Sequence, residues 1–192
     1  MNISDLLKYP ELADIVKVKD KIKEVDESWS SKDDEIFEID VYKPTIDIDN
    51  ETIEKIGEKK LERFFDRWDI EIMPDYWDKV DKLIRKNFEI VKSDDFIDYT
   101  KFELKFNLSN EEVVKDLINL NEYWDSLLEE KVPIEKKINE LRSILEDLKY
   151  ALKMFNKNEV KQEIMKKELE SDLDSLYNEY VDMLKENLKK LI

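Results

Sequence analysis

The chain of 192 residues contains no cysteine and no histidine. That removes the thiolate nucleophile, zinc–thiolate sites and the commonest general base and metal ligand. The side chains left for chemistry are carboxylates, lysines, tyrosines and hydroxyls. Carboxylates dominate, with 49 Asp/Glu against 33 Lys/Arg and a net charge of −16. Clustered acids can hold Mg²⁺ or Ca²⁺ through oxygen. Asp47, Asp49, Glu51 and Glu58 occupy positions 1, 3, 5 and 12 of a calcium-loop spacing, but Thr52 stands where the loop needs glycine for its turn. The spacing is therefore not read as a calcium site. No cofactor and no metal ligand set is assigned from the sequence.

The acids are unevenly spread. Residues 24–49 hold ten of them (Glu24, Asp26, Glu27, Asp33, Asp34, Glu35, Glu38, Asp40, Asp47 and Asp49) against Lys32 and Lys43, which is half the net charge in a short stretch. Two runs within it, 35–42 and 45–49, alternate apolar with polar residues and predict strands. Same-face residues on a strand lie about 6.6–6.8 Å apart. Glu38 with Asp40, and Asp47 with Asp49, would then form a regular acidic ribbon on a scale comparable to the charges of a nucleic-acid strand. The expectation is a non-enzymatic interaction protein that meets a basic partner through Asp33, Asp34, Glu35, Glu38, Asp40, Asp47 and Asp49. Its concrete form is an inhibitor or regulator that mimics nucleic acid toward a nucleic-acid-binding protein. The plainer account is a strand turning its polar face to water, with edge charges that block unwanted pairing. Direct binding to nucleic acid is not expected, given the charge and the lack of a basic stripe.

A second chemistry rests on Glu103-Leu104-Lys105, preceded by Asp94, Asp95 and Asp98. This resembles the acidic-x-Lys half of the PD-(D/E)xK nuclease motif, without its Pro-Asp pair. The resemblance spans about a dozen residues and implies a metal-dependent nuclease. Asp95 or Asp98 with Glu103 would bind a divalent metal there, and Lys105 would help to activate water and steady the phosphate.

The elements that must position these residues are mostly helices, as a single glycine and four prolines suggest. Ile15, Val18, Ile22, Val25 and Trp29 step 3, 4, 3, 4 and predict a helix over 11–29. Asp49 or Asn50 caps a helix over 51–69, and Pro74 opens another over 74–87. A strand is expected at 88–92, and another at 102–108, where Phe102, Leu104, Phe106 and Leu108 share a face. Ser109 and Glu112 have capping-box spacing, with Leu108 and Val113 as a staple. Beyond them three helices are expected at 110–130, 134–156 and 159–191. Ile134, Ile138, Leu141, Leu145, Leu148, Leu152 and Phe155 form a heptad seam. The last helix carries two stripes, which leaves a homo-oligomer or a purely structural, self-assembling bundle open.

The fold class is thus α+β, mainly helical. A helix, a small antiparallel sheet and two helices make up residues 1–108. An antiparallel three-helix, coiled-coil-like bundle makes up 109–192, unless the two share one core. Residues 2–12 show neither a basic start nor an apolar core of a leader, and no apolar run is long enough to span a bilayer, so a cytoplasmic location is expected.

Overall fold

A computed structural model describes residues 2–29 and 35–192. The fold is α+β and mainly helical, with one three-stranded antiparallel sheet and a long last helix. Its contacts gather into two compact units, each assembled from two separate stretches of chain. One comprises 1–35 and 108–162, the other 36–107 and 163–192. Residues on both sides of 108 contribute to both units.

The first unit contains α1 (Ile3–Leu6), a 3₁₀ turn Pro10–Leu12, α2 (Ile15–Ser28), α6 (Glu111–Glu129) and the first part of α7 (Ile134–Lys189). Its core joins Leu6, Leu12, Ile15, Val18, Ile22 and Val25 to Val114, Leu117, Trp124 and Leu127 of α6. Leu141, Leu145, Leu148 and Phe155 of α7 complete it. The heptad seam is therefore consumed inside the chain. Lys19 of α2 reaches Asp125 of α6 at 2.5 Å, and Lys149 of α7 reaches Asp14 at 2.9 Å.

A three-helix bundle is present, but its third helix is α2. The helices expected at 134–156 and 159–191 are one continuous helix. The expected connection, Asn156-Lys157-Asn158, holds neither proline nor glycine, and asparagine costs an interior helix position only a fraction of a kcal/mol, about 0.7 at most. Once both flanks are packed, nothing in those residues stops propagation.

The second unit contains β1 (Ile36–Tyr42), α3 (Asn50–Ile56), α4 (Glu58–Arg67), a π-helical turn Trp68–Ile72 and α5 (Met73–Arg85). It continues through β2 (Phe88–Asp95), β3 (Tyr99–Phe106) and the last part of α7. The sheet order is β1-β3-β2, all antiparallel. Val41, Phe88, Phe102 and Leu104 pack against Tyr76, Val80 and Ile84 of α5 and against Leu176, Tyr180 and Leu184 of α7. Leu188 and Leu191 pack with Ile56 and Leu61. Leu173, Leu176, Tyr180, Met183, Leu184 and Leu188 of the last helix, and Leu191 just beyond it, are thereby packed within this unit.

Three local departures from the sequence reading have physical causes. The helix expected over 51–69 breaks at Gly57, whose φ of 92° lies in the left-handed region that glycine tolerates. The gap expected before Pro74 is bridged by the π turn, where the Met73 amide reaches back to the Trp68 carbonyl. Pro74 lacks the amide hydrogen an α-helix would use there, and its ring crowds the carbonyl four residues earlier, so a wider turn relieves the conflict. Residues 45–49 form no strand. Ile46 and Ile48 instead pack against the helices around Ile56, Leu61 and Leu188, and Asp49 caps α3.

Candidate interaction surface

The acids singled out in the sequence meet different fates. Asp33 and Asp34 lie outside the described residues. Glu35 is only 5% exposed, and its carboxylate is turned inward. It accepts from the Ser109 hydroxyl at 3.1 and 3.2 Å and from the Asn110 amide at 3.0 Å. It therefore anchors the start of α6 and is unavailable to a partner. This also replaces the expected capping box. Asn110 is the cap position and makes no side-chain cap bond, while the Ser109 hydroxyl oxygen accepts from the Glu111 amide at 3.1 Å.

Glu38 and Asp40 do lie exposed on a rigid strand, but they face a lysine. Lys101 sits directly across from Asp40 in the register, and its ammonium is 3.3 Å from Glu38. The hydrogen bond to Glu38 and then its charge hold the Lys101 pKa above the usual lysine range, with Asp40 adding to the effect. Asp47 is exposed in the segment leading to α3. Asp49 accepts from the Thr52 amide at 2.7 Å as the cap of α3, and that bond holds its carboxyl below the usual range. The two-strand acidic ribbon does not form, because its second strand is not a strand.

The outward face of the sheet is instead a mixed ladder. Asp40, Lys101 and Asp94 form one cross-strand row; Glu38, Glu103 and Lys92 form the next; Lys105 lies beside Glu89. Glu38 and Glu103 are like charges set opposite one another, and Lys101, 3.3 Å from Glu38, and Lys92, 3.4 Å from Asp94, supply the opposite sign. Glu103 and Lys105 of the acidic-x-Lys segment belong to this ladder. Asp95 accepts from the Thr100 hydroxyl at 3.0 Å, and Asp98 accepts a backbone bond from Lys43 at 2.8 Å. Among the described residues no three acids gather closely enough to hold a metal ion.

The surface that stands out was not singled out in the sequence. The β2–β3 hairpin carries Phe96 and Ile97 at its tip, 52% and 92% exposed. Phe96 stacks on Tyr99 at 4.7 Å with planes 16° apart, and Tyr99 meets Tyr42 at 5.4 Å. Beside the tip lies a cleft of about 520 Å³ lined by Trp77, Phe96 and Ile97 together with Asp69, Asp81, Asp95 and one cation, Lys43. Lys43 is already engaged by Asp69 at 2.5 Å. The only sequence signal was Asp94-Asp95-Phe96-Ile97-Asp98, an apolar pair inside an acidic turn. It has no periodicity, so pattern reading passes over it.

Among the described residues no helix is long and apolar enough to cross a membrane. Comparison with protein-family models, with curated proteins and with solved structures returned no match.

Proposed function

We propose that this chain is a non-enzymatic interaction protein that binds a basic partner protein through the hairpin tip of its second unit. The observation that carries the reading is the group of exposed Tyr42, Phe96 and Ile97, with half-buried Tyr99 stacked on Phe96 and tilted against Tyr42, beside a cleft with three carboxylates and one cation. Rigid aromatic and aliphatic anchors ringed by polar groups are the usual energetic centre of a protein interface. Asp69, Asp81 and Asp95 give that centre a sign, with Asp69 paired to Lys43 and Asp81 to Arg85 at 3.0 Å and Asp95 carrying no ion pair among the described residues. They favour lysine or arginine on the partner, and Trp77 and Phe96 offer ring faces to such cations. The net charge of −16 would speed encounter with a basic surface. The nucleic-acid-mimic version of this reading draws less support, since Glu38 and Asp40 face Lys101, Asp49 caps a helix and Glu35 is buried.

The test uses a set of fluorescein-labelled peptides graded in lysine, arginine and aromatic content, with binding followed by anisotropy. The reading expects peptides that combine basic and apolar residues to bind best, with affinity falling as salt rises. Phe96→Ser with Ile97→Ser should weaken binding by at least about tenfold. Glu38→Lys with Asp40→Lys should change it far less. Equal binding by the tip variant and the native chain would refute the assignment. A loss confined to the Glu38/Asp40 variant would restore the β1 ribbon in its place.

A further inference from the structure

In a chain with 49 acids and 33 bases, concave surfaces are expected to be acidic on average. One pocket of the second unit is the reverse. It has a volume of about 500 Å³, and four cations line it: Lys60, Arg63 and Arg67 from α4, and Lys190 beyond the end of α7. Glu71 is the one acid among the lining residues. Arg67 is engaged by Glu71 at 3.4 Å, and Lys60 donates to the Leu191 carbonyl at 3.3 Å. Arg63 and Lys190 have no hydrogen-bond or ion-pair partner among the described residues. Like charges held together without a counter-ion repel one another, and a bound anion relieves that repulsion.

The π-helical turn reaches the same pocket. Trp68 lines the pocket and is only 3% exposed. Trp68, Glu71 and Ile72 all belong to the π-helical turn. Such turns are rare overall and frequent at functional sites, and this one also relieves the conflict at Pro74. The remaining lining includes Phe64, Ile72 and Leu191, which give the pocket an apolar wall beside its cations.

We propose that this pocket binds a small amphipathic anion: a carboxylate head held by Arg63 and Lys190, with an aliphatic or aromatic body laid against Phe64, Trp68 and Ile72. Arginine presents a planar fork matched to a carboxylate, and lysine adds a point charge. The apolar wall is what sets this ligand class apart from an inorganic ion. The site shares no residue with the hairpin tip, so it stands or falls separately from the interaction reading.

The experiment titrates the full chain with 1-anilinonaphthalene-8-sulfonate, an anion with an aromatic body, and follows its fluorescence. Saturable one-to-one binding is expected. Decanoate should displace the dye, while decanol and inorganic phosphate should not. Arg63→Gln with Lys190→Gln should weaken both the dye and decanoate by at least about tenfold, equivalent to about 1.4 kcal/mol. Both side chains are exposed, so the far-ultraviolet circular dichroism should not change. Lys86→Gln with Lys157→Gln removes the same charge at exposed positions elsewhere and should leave binding as it was. The proposal is overturned by an absence of saturable binding, or by unchanged affinity in the Arg63/Lys190 variant. Displacement by decanol as effective as by decanoate overturns the anionic head, and displacement by phosphate alone overturns the apolar body.

Discussion

Replacing Glu35 by alanine should destabilise the first unit without touching a recognition surface. The carboxylate is 5% exposed and accepts from the Ser109 hydroxyl and from the Asn110 amide, a residue that is itself fully buried. A hydrogen bond to a charged group contributes about 1.5–3 kcal/mol, and a buried donor left without its acceptor costs about 1–3 kcal/mol. The anion also faces the positive end of α6, a contribution of about 0.3–1 kcal/mol. These effects overlap because one group makes all of them, and water can enter the space left by the truncation. A net loss of about 2–3 kcal/mol is expected for Glu35→Ala. Glu35→Gln keeps an acceptor oxygen and gives up the charge, for which about 1 kcal/mol is expected. At about 2–4 °C per kcal/mol for a chain of this size, the alanine variant should melt about 4–12 °C lower. Urea unfolding followed by circular dichroism measures the first quantity. Native-state hydrogen exchange of the Asn110 amide reports the bond itself, and it should exchange faster in the alanine variant. A loss below about 0.5 kcal/mol, with the Asn110 amide still protected, would show that Glu35 does not hold the start of α6.

Two further outcomes follow from buried polar groups. Lys137 is 3% exposed, and its ammonium donates to the Leu127 carbonyl and, at 2.5 Å, to the Glu130 carbonyl, so it closes the C-terminal end of α6. Lys137→Met keeps much of the bulk but leaves those carbonyls unpaired, and should cost about 2 kcal/mol in urea unfolding; an effect below about 0.5 kcal/mol would contradict that role. At alkaline pH, Tyr76 and Tyr180 should resist ionisation. Burial first, then neighbouring Tyr177 and Tyr180, pushes the Tyr76 phenol above its usual range; burial and then the hydrogen bond to Asp75 raise Tyr180, with Lys79 pulling the other way. For an acid whose folded pKa is raised, the fold favours the protonated form. That stabilisation is complete below the unfolded value of about 10 and is lost as pH climbs from there toward the folded values. Absorbance at the phenolate band, compared with Tyr76→Phe and Tyr180→Phe variants, should therefore show these two ionising only as the chain unfolds; their ionisation in the folded chain near the unfolded value would contradict it.

Much of the element content could be read from the residues because it depends on local periodicity. The stripe Ile15, Val18, Ile22, Val25, the alternation Phe102, Leu104, Phe106 and the seam from Ile134 to Phe155 all lie on buried or partly buried faces. Such patterns name a buried face whatever covers it. The same patterns do not say which faces meet. The third helix of the bundle is α2, from the other end of the chain, because an apolar stripe specifies burial and not a partner. Glu35 illustrates the same limit for charge. In the sequence it is one carboxylate among ten, and only the fold brings it to Ser109 and Asn110, 74 and 75 residues away.

Composition by itself determined what this chain cannot use, since the absence of cysteine and histidine and the excess of acid hold in any conformation. It also determined where helices and strands are favoured, because those preferences act within a few residues. Tertiary structure alone decided which charges are free. Pairing β1 with β3 set Glu38 and Asp40 against Lys101, and packing Ile46 and Ile48 inward took Asp47 and Asp49 off the sheet. Folding α4 against the end of α7 gathered Lys60, Arg63, Arg67 and Lys190 around one pocket of an acidic protein. The physical reason is range: backbone preference and periodicity act over one or two turns, whereas the field at a surface point sums charges from segments that only folding makes neighbours.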